Sequence, residues 1–349
     1  MANDIAAAIQ ALKRGDVVVL PTETVYGLAA NALNVEAVEK IYRIKGRPHN
    51  NPLILHVLDG TWIEKYARLD QNGEWANRLA EKFWPGPLTF VLEKKNIIPH
   101  IVTAGSDKIA IRCPNHELFR SILQACNFPL AAPSANPFGY LSPTTAEQVR
   151  QTLGGRVEII MDGGPCQIGL ESTIIDITRR VPKILRPGAI EAEEISEALG
   201  ATIDAYEPII SESPTSPGQL KRHYSTHTKL VLFPHGNCEA AKETAGKVAI
   251  ILNSKPSDFG KISENFHISP GNIFWFSESG ELGEIARNLF ATLQKIDDSG
   301  YGIILCERPV RNGIGIAIDD RLLRAAADSI SGHRVTGKLP PSSSRQHEP

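Results

Sequence analysis

Apolar positions in the first half of the chain alternate between the spacing of helices and that of buried strands. Between residues 5 and 12 they recur at intervals of three and four, which predicts an amphipathic helix, and the apolar run 17–20 predicts a buried strand directly after it. A second helix is predicted from about residue 34 to 46 and a strand over 53–58. The same patterns predict further strands at 88–92, 109–112, 130–132, 157–161, 173–177 and 183–185, and helices at 74–83, 117–126, 145–153 and 192–199.

The second half of the chain begins with a change of composition. Residues 206–228 are rich in Pro, Ser and Thr and follow neither spacing, which predicts a linker. Beyond it, apolar strands at 230–233, 248–252, 273–276 and 302–305 alternate with helical stretches near 239–245, 282–295 and 320–329. We therefore predict an α/β domain with a mixed sheet over 1–205, a linker over 206–228 and a smaller α/β domain over 229–332. The segment 333–349 has few apolar residues and is predicted to be disordered.

Composition narrows the class of protein. A chain of 349 residues with 42% hydrophobic and 22% charged residues can bury a sizeable core, and it contains no apolar run near the ~18 residues that span a bilayer. The first residues show no export signal, and the five cysteines form no CxxC pair, so a reducing cytoplasm is expected. A formal net charge of -2 argues against tight non-specific binding of nucleic acid.

The motifs of common nucleotide-binding and hydrolytic sites are absent, but two polar segments stand where α/β sheets place ligands. There is no GxxxxGK[ST], no HExxH and no GxSxG. Segment 21–28 (PTETVYGL) follows a predicted strand and carries hydroxyls, a carboxylate and a phenol, although a capped turn would have the same composition. Segment 45–48 (KGRP) concentrates positive charge suited to a polyphosphate, although cations also stabilise helix C-termini.

Two later segments offer further candidate ligands. Segment 131–145 carries small hydroxyl and amide side chains suited to phosphate or ribose oxygens, or to an Asx turn and a helix cap. Segment 162–176 places glycines around a short polar loop. Arg112 and Arg186 close apolar strands, and a buried arginine requires an anion, which a ligand or a structural carboxylate could supply.

Histidines provide little independent evidence of a site. His56 lies among apolar residues of a predicted strand, which is typical of a structural histidine. His223 and His227 have the spacing of a helical metal pair, but they lie in the linker without a nearby third ligand. No protein metal site is predicted.

Taken in order, the motifs of the chain resemble those of the threonylcarbamoyl-AMP synthases in their two-domain form. The motifs are PTETVYGL, KGRP, NPLILHV, PSANPFG, DGG, ESTIIDI and LRPGAI, followed by SPGQLKRHYS. The resemblance implies a YrdC-like catalytic domain with a mixed, twisted sheet and a smaller C-terminal, Rossmann-like α/β domain. It also implies a nucleotidyltransferase that makes threonylcarbamoyl-AMP and pyrophosphate from L-threonine, bicarbonate or CO2, and ATP with Mg²⁺. Partner enzymes would then transfer the threonylcarbamoyl group to an adenosine of certain tRNAs, so this chain would not require stable tRNA binding.

The resemblance also assigns residues. The family's KxR and SxN signatures match Lys45, Arg47, Ser134 and Asn136, and Lys45 and Arg47 would neutralise the reacting phosphates. The threonine pocket would be lined by Thr24, His56, Arg112, Ala132 and Ser172. ATP would be held by Arg47, Asn51, Ser134, Asn136, Ser142, Arg186 and Tyr224. The linker departs from the family pattern at 219–221 (Gln-Leu-Lys where Met-Lys-Tyr is expected), which bears on its contacts as a lid.

We expect catalysis by positioning and charge neutralisation, with the linker residues 222–224 closing over the nucleotide. Two other functions compete with this hypothesis. A hydrogenase-maturation enzyme that forms carbamoyl-adenylate would need zinc-type cysteine pairs and an acylphosphatase-like segment, and neither is seen in the sequence. A non-catalytic RNA-binding module is permitted by the basic cluster but disfavoured by the near-neutral charge.

Overall fold

The computed structural model describes residues 2–69, 72–204, 206–207, 223–236 and 247–327. These residues form two sheets, one of ten strands and one of four. The predicted helix near 239–245, the greater part of the predicted linker and the predicted disordered segment 333–349 lie outside the described residues. Within them, no helix has both the length and the apolar character needed to cross a bilayer.

The first region, which ends with the described residues before 205, alternates short strands and helices. Its elements are α1 (Ala2–Lys13), β1 (Val18–Leu20), β2 (Gly27–Asn31), α2 (Val35–Lys45), β3 (Ile54–His56), α3 (Ile63–Tyr66), β4 (Ala67–Arg68), α4 (Gly73–Phe83), β5 (Leu88–Lys94), β6 (Lys108–Arg112), α5 (Glu117–Cys126), β7 (Leu130–Ala131), α6 (Ala146–Leu153), β8 (Ile159–Ile160), β9 (Thr173–Asp176), β10 (Lys183–Arg186) and α7 (Ala192–Leu199).

The first sheet is mixed, as the sequence predicts. Its strand order is β10-β9-β5-β6-β3-β7-β2-β1-β8, with β4 added to β5. The β3/β6, β5/β9 and β1/β8 pairs are parallel, and the remaining pairs are antiparallel. Strand β2 has no sequence prediction, because Gly-Leu-Ala-Ala-Asn shows neither β-branched residues nor alternation.

Helix α2 delivers the basic segment to the site, and its two ends are set by local chemistry. The Asn34 side chain accepts a hydrogen bond from the Ala37 amide at 3.1 Å, which caps the N-terminus. Gly46 ends the helix in the left-handed conformation, with φ of 62°, which costs glycine least. Lys45 and Arg47 therefore leave the helix end in a fixed direction, on the core side of the molecule.

The second region is a smaller α/β unit with a parallel sheet. Its elements are β11 (Lys229–Phe233), β12 (Val248–Ser254), α8 (Phe259–Phe266), β13 (Ile273–Ser277), α9 (Leu282–Asp297), β14 (Ile303–Glu307) and α10 (Gly315–Ala326). The strand order is β11-β14-β12-β13, and the three strand pairs are parallel. Helix α8 has no sequence prediction. Helix α10 begins at Gly315 rather than near residue 320, because Ala317 and Ile318 also pack in the core.

The two regions share an apolar interface. Val25 and Leu170 of the first region belong to the same buried cluster as Phe290 and Leu322 of the second. The backbones approach closely at Gly169, where φ is 81° and a Cβ atom would lie 2.5 Å from the Cα of Arg287. This contact places helices α9 and α10 beside the loop that precedes β9.

Candidate active site

Polar side chains from distant segments converge on one pocket in the first region. It has a volume of about 50 Å³ and is lined by Val25, Arg47, Ile54, His56, Arg112, Ala132, Pro133, Ser134, Glu171, Arg186 and His223. His56 and Arg112 are the last residues of the parallel strands β3 and β6 and lie in register with each other. The pocket thus lies at carboxyl ends of parallel strands, where open α/β sheets bind ligands.

Arg112 and His56 present buried polar atoms that lack hydrogen-bond partners in the protein. Arg112 Nη2 lies 2.8 Å from Glu23 Oε1, but Nε and Nη2 of Arg112 and both carboxylate oxygens of Glu23 make no aligned hydrogen bond. His56 Nδ1 is likewise buried without a partner. Burial, and then the charge of Arg112, lower the pKa of His56 to about 3, so its ring is neutral near pH 7. Sequence reasoning missed Glu23, which lies within the PTETVYGL motif.

Arg47 lines the pocket, whereas Lys45 at the end of α2 is hydrogen-bonded to the loop that contains Ser134 and Asn136. The Arg47 guanidinium donates to the carbonyl oxygens of Asn51 (3.1 Å) and Pro52 (2.7 Å) and to Asn51 Oδ1 (2.7 Å). Lys45 Nζ donates to the carbonyl oxygens of Ser134 and Asn136, each at 2.5 Å. Burial and the charge of Arg47 lower the pKa of Lys45 well below its usual value. The predicted KxR and SxN residues are therefore in direct contact.

Arg186, a predicted ATP-binding residue, is hydrogen-bonded to Ser172, a predicted threonine-binding residue. Its Nε and Nη2 atoms donate to the carbonyl oxygen of Ser172 at 3.1 and 2.9 Å, and Nη2 also lies 3.1 Å from the Ser172 hydroxyl. That hydroxyl is 2.7 Å from the hydroxyl of Thr89 on β5. This network holds the buried guanidinium at the pocket wall.

Glu171 lies at the pocket wall opposite several cations and carries no role in the sequence prediction. Its Oε1 accepts from the Ser142 hydroxyl at 2.5 Å, and its Oε2 accepts from Arg321 Nε of helix α10 at 3.1 Å. Burial alone would raise the pKa of Glu171, but Arg321 and then Arg186 more than offset it and lower the pKa to about 2. The motif ESTIIDI contains Glu171, whereas nothing in the local sequence marks Arg321 as part of the site.

Of the three linker residues predicted to cover the nucleotide, residue 222 lies outside the described residues, and the other two occupy different positions. His223 lines the pocket, and burial lowers its pKa to about 3. Tyr224 lies behind it, with φ of 62°, and its ring stacks on Phe290 of α9 with centroids 5.4 Å apart. The remaining predicted residues do not line the pocket themselves, although Asn51 and Ser142 are hydrogen-bonded to the lining residues Arg47 and Glu171. Thr24 Oγ1 is 2.8 Å from Thr22 Oγ1, and Asn136 Nδ2 donates to the Tyr140 carbonyl oxygen at 2.8 Å.

The chemistry of the pocket follows from its charges. Three arginines line it, and buried polar atoms of Glu23, Asn51, His56, Arg112 and His223 have no hydrogen-bond partner. Since buried polar groups are normally paired, these atoms indicate a ligand with both anionic and polar groups. In the part of the chain that the structure describes, no three His, Cys, Asp or Glu side chains are grouped to hold a metal ion. Fold and site together define an anion-binding α/β protein.

Comparison with known proteins identifies the family. A family model described as "Telomere recombination" matches residues 10–188, and one described as "Threonylcarbamoyl-AMP synthase, C-terminal domain" matches residues 190–327. The threonylcarbamoyl-AMP synthase of Pyrococcus abyssi is 37% identical over 327 residues, covering 93% of each chain. That of Bacillus subtilis is 37% identical over 334 residues, covering 93% of this chain and 94% of the relative. The chain belongs to the threonylcarbamoyl-AMP synthase family, whose members are enzymes.

Solved structures agree with this assignment. The crystal structure of P. abyssi Sua5 complexed with L-threonine matches with a TM-score of 0.83 at 36% identity, covering 92% of this chain and 94% of that one. A variant of the same protein, in which a histidine and the following tyrosine are replaced by alanine, matches with a TM-score of 0.83 at 34% identity. The mixed first sheet and the smaller second sheet therefore form the fold of this family, which confirms the fold expected from the motifs.

Proposed function

We propose that this chain forms threonylcarbamoyl-AMP and pyrophosphate from L-threonine, bicarbonate or CO2, and ATP in the pocket between β3, β6 and His223. The observation that carries the proposal is the group of buried, partnerless polar atoms beside three arginines, in a chain of this family. A reaction that brings together a carboxylate, a carbamate and a triphosphate requires such a concentration of positive charge.

Threonine would occupy the end of the pocket near Arg112. The guanidinium of Arg112 has donors without partners, and an arginine pairs well with a carboxylate. Neutral His56 can accept a hydrogen bond at Nδ1 from the amino group, since that atom is buried and has no partner. Ala132, Ser172 and Thr24 would complete this end, where small side chains leave room for the substrate.

ATP would occupy the end near Arg47 and Arg186. Both side chains line the pocket, as does Ser134. Asn51, Asn136, Ser142 and Tyr224 do not line it but would act from behind the wall, since Asn51 bonds to Arg47 and Ser142 to Glu171. Lys45 remains a predicted catalytic residue, and it would reach a phosphate after exchanging at least one of its two carbonyl partners.

The proposed reaction is a nucleotidyl transfer. The neutral amino group of threonine attacks CO2 and releases one proton to solvent, which gives a carbamate. A carbamate oxygen then attacks the α-phosphorus of ATP, the bond between that phosphorus and the α,β-bridging oxygen breaks, and pyrophosphate leaves. Arg47 and Arg186 would hold the phosphates and neutralise the developing charge, and Arg112 would fix the amino acid. No nucleophilic side chain is required.

Mg²⁺ would enter with ATP rather than occupy a protein site. Mg²⁺ is commonly held by substrate phosphates together with one or two carboxylates. Here both buried carboxylates near the pocket face arginines, Glu23 facing Arg112 and Glu171 facing Arg321. The described residues therefore do not fit a resident metal, and we assign the ion to the substrate.

The pocket must widen before the substrates enter. Its volume of about 50 Å³ is far below the ~300–1,000 Å³ of typical ligand pockets, so threonine and ATP do not fit in it together. His223 lies outside both sheets and contributes one wall. Displacement of His223 with Tyr224 would open the pocket, and their return would exclude water from an adenylate that hydrolyses readily.

The test is pyrophosphate release measured without RNA, with the product identified by mass spectrometry. We expect release that requires both threonine and bicarbonate. Arg112→Met should raise the KM for threonine, whereas Arg180→Met, at an exposed position, should match the wild type. Release that requires a carbamoyl donor such as carbamoyl phosphate, in place of threonine and bicarbonate, would instead indicate a carbamoyl-adenylate-forming enzyme. Absence of release together with RNA binding would favour the RNA-binding module.

Amino-acid analogues test whether the pocket recognises the threonine hydroxyl. Serine lacks one methyl contact, which is worth ~1–3 kcal/mol, whereas 2-aminobutyrate leaves buried polar groups unpaired. We expect kcat/KM to decrease from threonine to serine to 2-aminobutyrate. Equal use of the last two would show that the hydroxyl is not recognised.

The product would pass to enzymes that transfer the threonylcarbamoyl group to tRNA. The formal net charge of -2 is compatible with a synthase that does not itself hold tRNA tightly. The cytoplasmic location inferred from cysteine spacing stays a prediction.

A further inference from the structure

Arg321 is the largest of the fully buried side chains, and it belongs to the second region. Its side chain on helix α10 is 1% exposed. A buried guanidinium needs anionic partners, and it has two. Nε lies 3.1 Å from Glu171 Oε2 in the first region, and Nη1 lies 3.1 Å from Asp320 Oδ2 on its own helix. The pair of Arg321 and Glu171 thus joins two residues that are 150 positions apart in the sequence.

Glu171 connects this arginine with the pocket. The Glu171 carboxylate lines the pocket, and its second oxygen accepts from the Ser142 hydroxyl at 2.5 Å. Arg186 and His223 also lie close enough to this carboxylate to lower its pKa. Arg321 itself does not line the pocket, so any influence on bound substrates passes through Glu171.

A second contact links Arg321 with the segment between the two regions. The Arg321 Cζ atom lies 5.5 Å from the centroid of the Tyr224 ring, within the distance of a cation–π interaction. The same ring stacks on Phe290 of helix α9. Since His223 precedes Tyr224 and lines the pocket, two walls of the pocket depend on groups of the second region.

We propose that Arg321 is a positioning residue of the synthase reaction, which fixes Glu171 and Tyr224 so that Ser142, Arg186 and His223 face the nucleotide. The inference rests on the proposed function, since it concerns the same pocket. If this is so, the second region contributes directly to the active site. A second region that only anchored the linker would need no contact with Glu171.

Stability alone does not account for this arrangement. Replacing a buried ion pair by uncharged residues of similar volume is often neutral or stabilising. A role confined to packing could therefore be met by a methionine at position 321 and a glutamine at position 171. A positioning role predicts a different pattern, because removal of Arg321 leaves a buried carboxylate beside Arg186 without its main partner.

The pH dependence distinguishes the two roles. Four charged or titratable groups face Glu171: Arg321 from α10, Arg186 from β10, and His223 and Tyr224 from the segment between the two regions. Among the cations, Arg321 lowers the pKa of Glu171 most, against the opposing effect of burial. In Arg321→Met that pKa rises, so the carboxylate takes up a proton at a higher pH than in the wild type. The variant should therefore lose activity on the acid side more steeply than the wild type, whose own decline follows protonation of the threonine amino group.

The experiment measures kcat and KM for ATP against pH in the full chain, for Arg321→Met, Arg321→Lys, Glu171→Gln and the double variant. We expect Arg321→Met to reduce kcat/KM by about a hundredfold, the effect of misplacing a catalytic group by ~1 Å, and the lysine variant to recover part of it. The double variant should have a kcat/KM no lower than that of Glu171→Gln. It should also lack the additional acid-side loss of activity that Arg321→Met shows.

Arg324→Met is the matched control. Arg324 lies three residues further along α10, pairs with Asp320 at 3.0 Å and donates to the Tyr206 hydroxyl at 3.0 Å. The variant should have a lower melting temperature but keep kcat/KM within about threefold and the pH profile unchanged, because neither of these partners lines the pocket.

The outcomes separate this inference from the proposed function. If the wild type makes no threonylcarbamoyl-AMP, the proposed function fails. If the wild type is active and Arg321→Met matches Arg324→Met in rate and pH profile, Arg321 is structural and the inference fails. If Arg321→Met does not fold, Glu171→Gln is compared with the double variant. Equal kcat/KM supports the inference, and a further loss in the double variant overturns it.

Discussion

The two regions treat their buried polar groups in opposite ways. Around the pocket of the first region, atoms of Glu23, His56 and Arg112 are buried without hydrogen-bond partners. In the second region Asp319 accepts from Arg308 at 2.7 and 2.8 Å. Glu307 accepts from the amides of Gly236 and Asn253. Within 229–327, as far as the structure describes it, the partnerless side-chain atoms are Asn253 Oδ1 and Arg321 Nη2.

This difference indicates where ligand chemistry lies. Buried polar groups that are hydrogen-bonded within the protein are compatible with a stable fold. Buried polar atoms without hydrogen-bond partners cost free energy unless a ligand supplies the missing bonds. Arg321 is the informative exception in the second region, since it lies at the interface with the first. The second sheet thus supports the site, and its direct contribution is concentrated in helices α9 and α10.

The largest expected effect is on the core of the second region. Leu289→Ala removes a fully buried side chain of α9 and should lower the free energy of unfolding by ~2–5 kcal/mol. The control Leu323→Ala, at a side chain that is 40% exposed, should cost far less. Thermal melts followed by circular dichroism measure both. A comparable loss in the two variants would contradict the packing of α9.

The second effect compares an arginine of each region. Arg186→Met should reduce kcat by over a hundredfold, or ~3 kcal/mol, because a preorganised charge at the reacting phosphates is lost. Arg308→Met removes a partner of buried Asp319 and should lower stability with little change in kcat. Pyrophosphate release and melting temperature are measured for each variant. Equal loss of activity in the two would remove the functional distinction between the regions.

The third effect depends on pH. The folded pKa of His56 is about 3, whereas the unfolded chain binds a proton near the usual value of about 6.5. Stability is therefore lost as the pH falls through this window, by ~2 kcal/mol at pH 5 for each such histidine. His56→Gln should lose less stability between pH 7 and pH 5 than the wild type. Exposed His100→Gln should follow the wild type, and identical slopes in all three proteins would show that His56 is not buried in its neutral form.

The smallest effect concerns the interface between the regions. Exposed Arg287 of α9 donates from Nε to the Gln167 carbonyl oxygen at 2.9 Å. Arg287→Ala should cost ~0.2–1 kcal/mol, since exposed polar contacts contribute little. Urea unfolding measures this loss. A cost of several kcal/mol would mean that the interface depends on this contact rather than on the apolar cluster.

Local chemistry made much of the fold predictable. Helix α2 was predicted correctly because Asn34 and Gly46 set its ends through local contacts, and β9 and β10 were predicted because they are short apolar runs. Strand β2 was missed, since its small residues carry no periodic signal and its place depends on pairing with β1 and β7. Helix α10 begins earlier than predicted, because its first turns are buried by tertiary contacts.

The candidate site divides in the same way. The sequence by itself determined the order of motifs and hence the family. Local pattern drew attention to Arg47, Arg112 and Arg186, because these cations stand at ends of a helix and of strands. It indicated a structural role for His56, which entered the predicted site only through the resemblance to the family. Tertiary structure alone decided that Arg321 meets Glu171, since two side chains 150 residues apart become neighbours only when two sheets pack together. Local pattern records which side chains can be buried, whereas their partners depend on the packing of the whole chain.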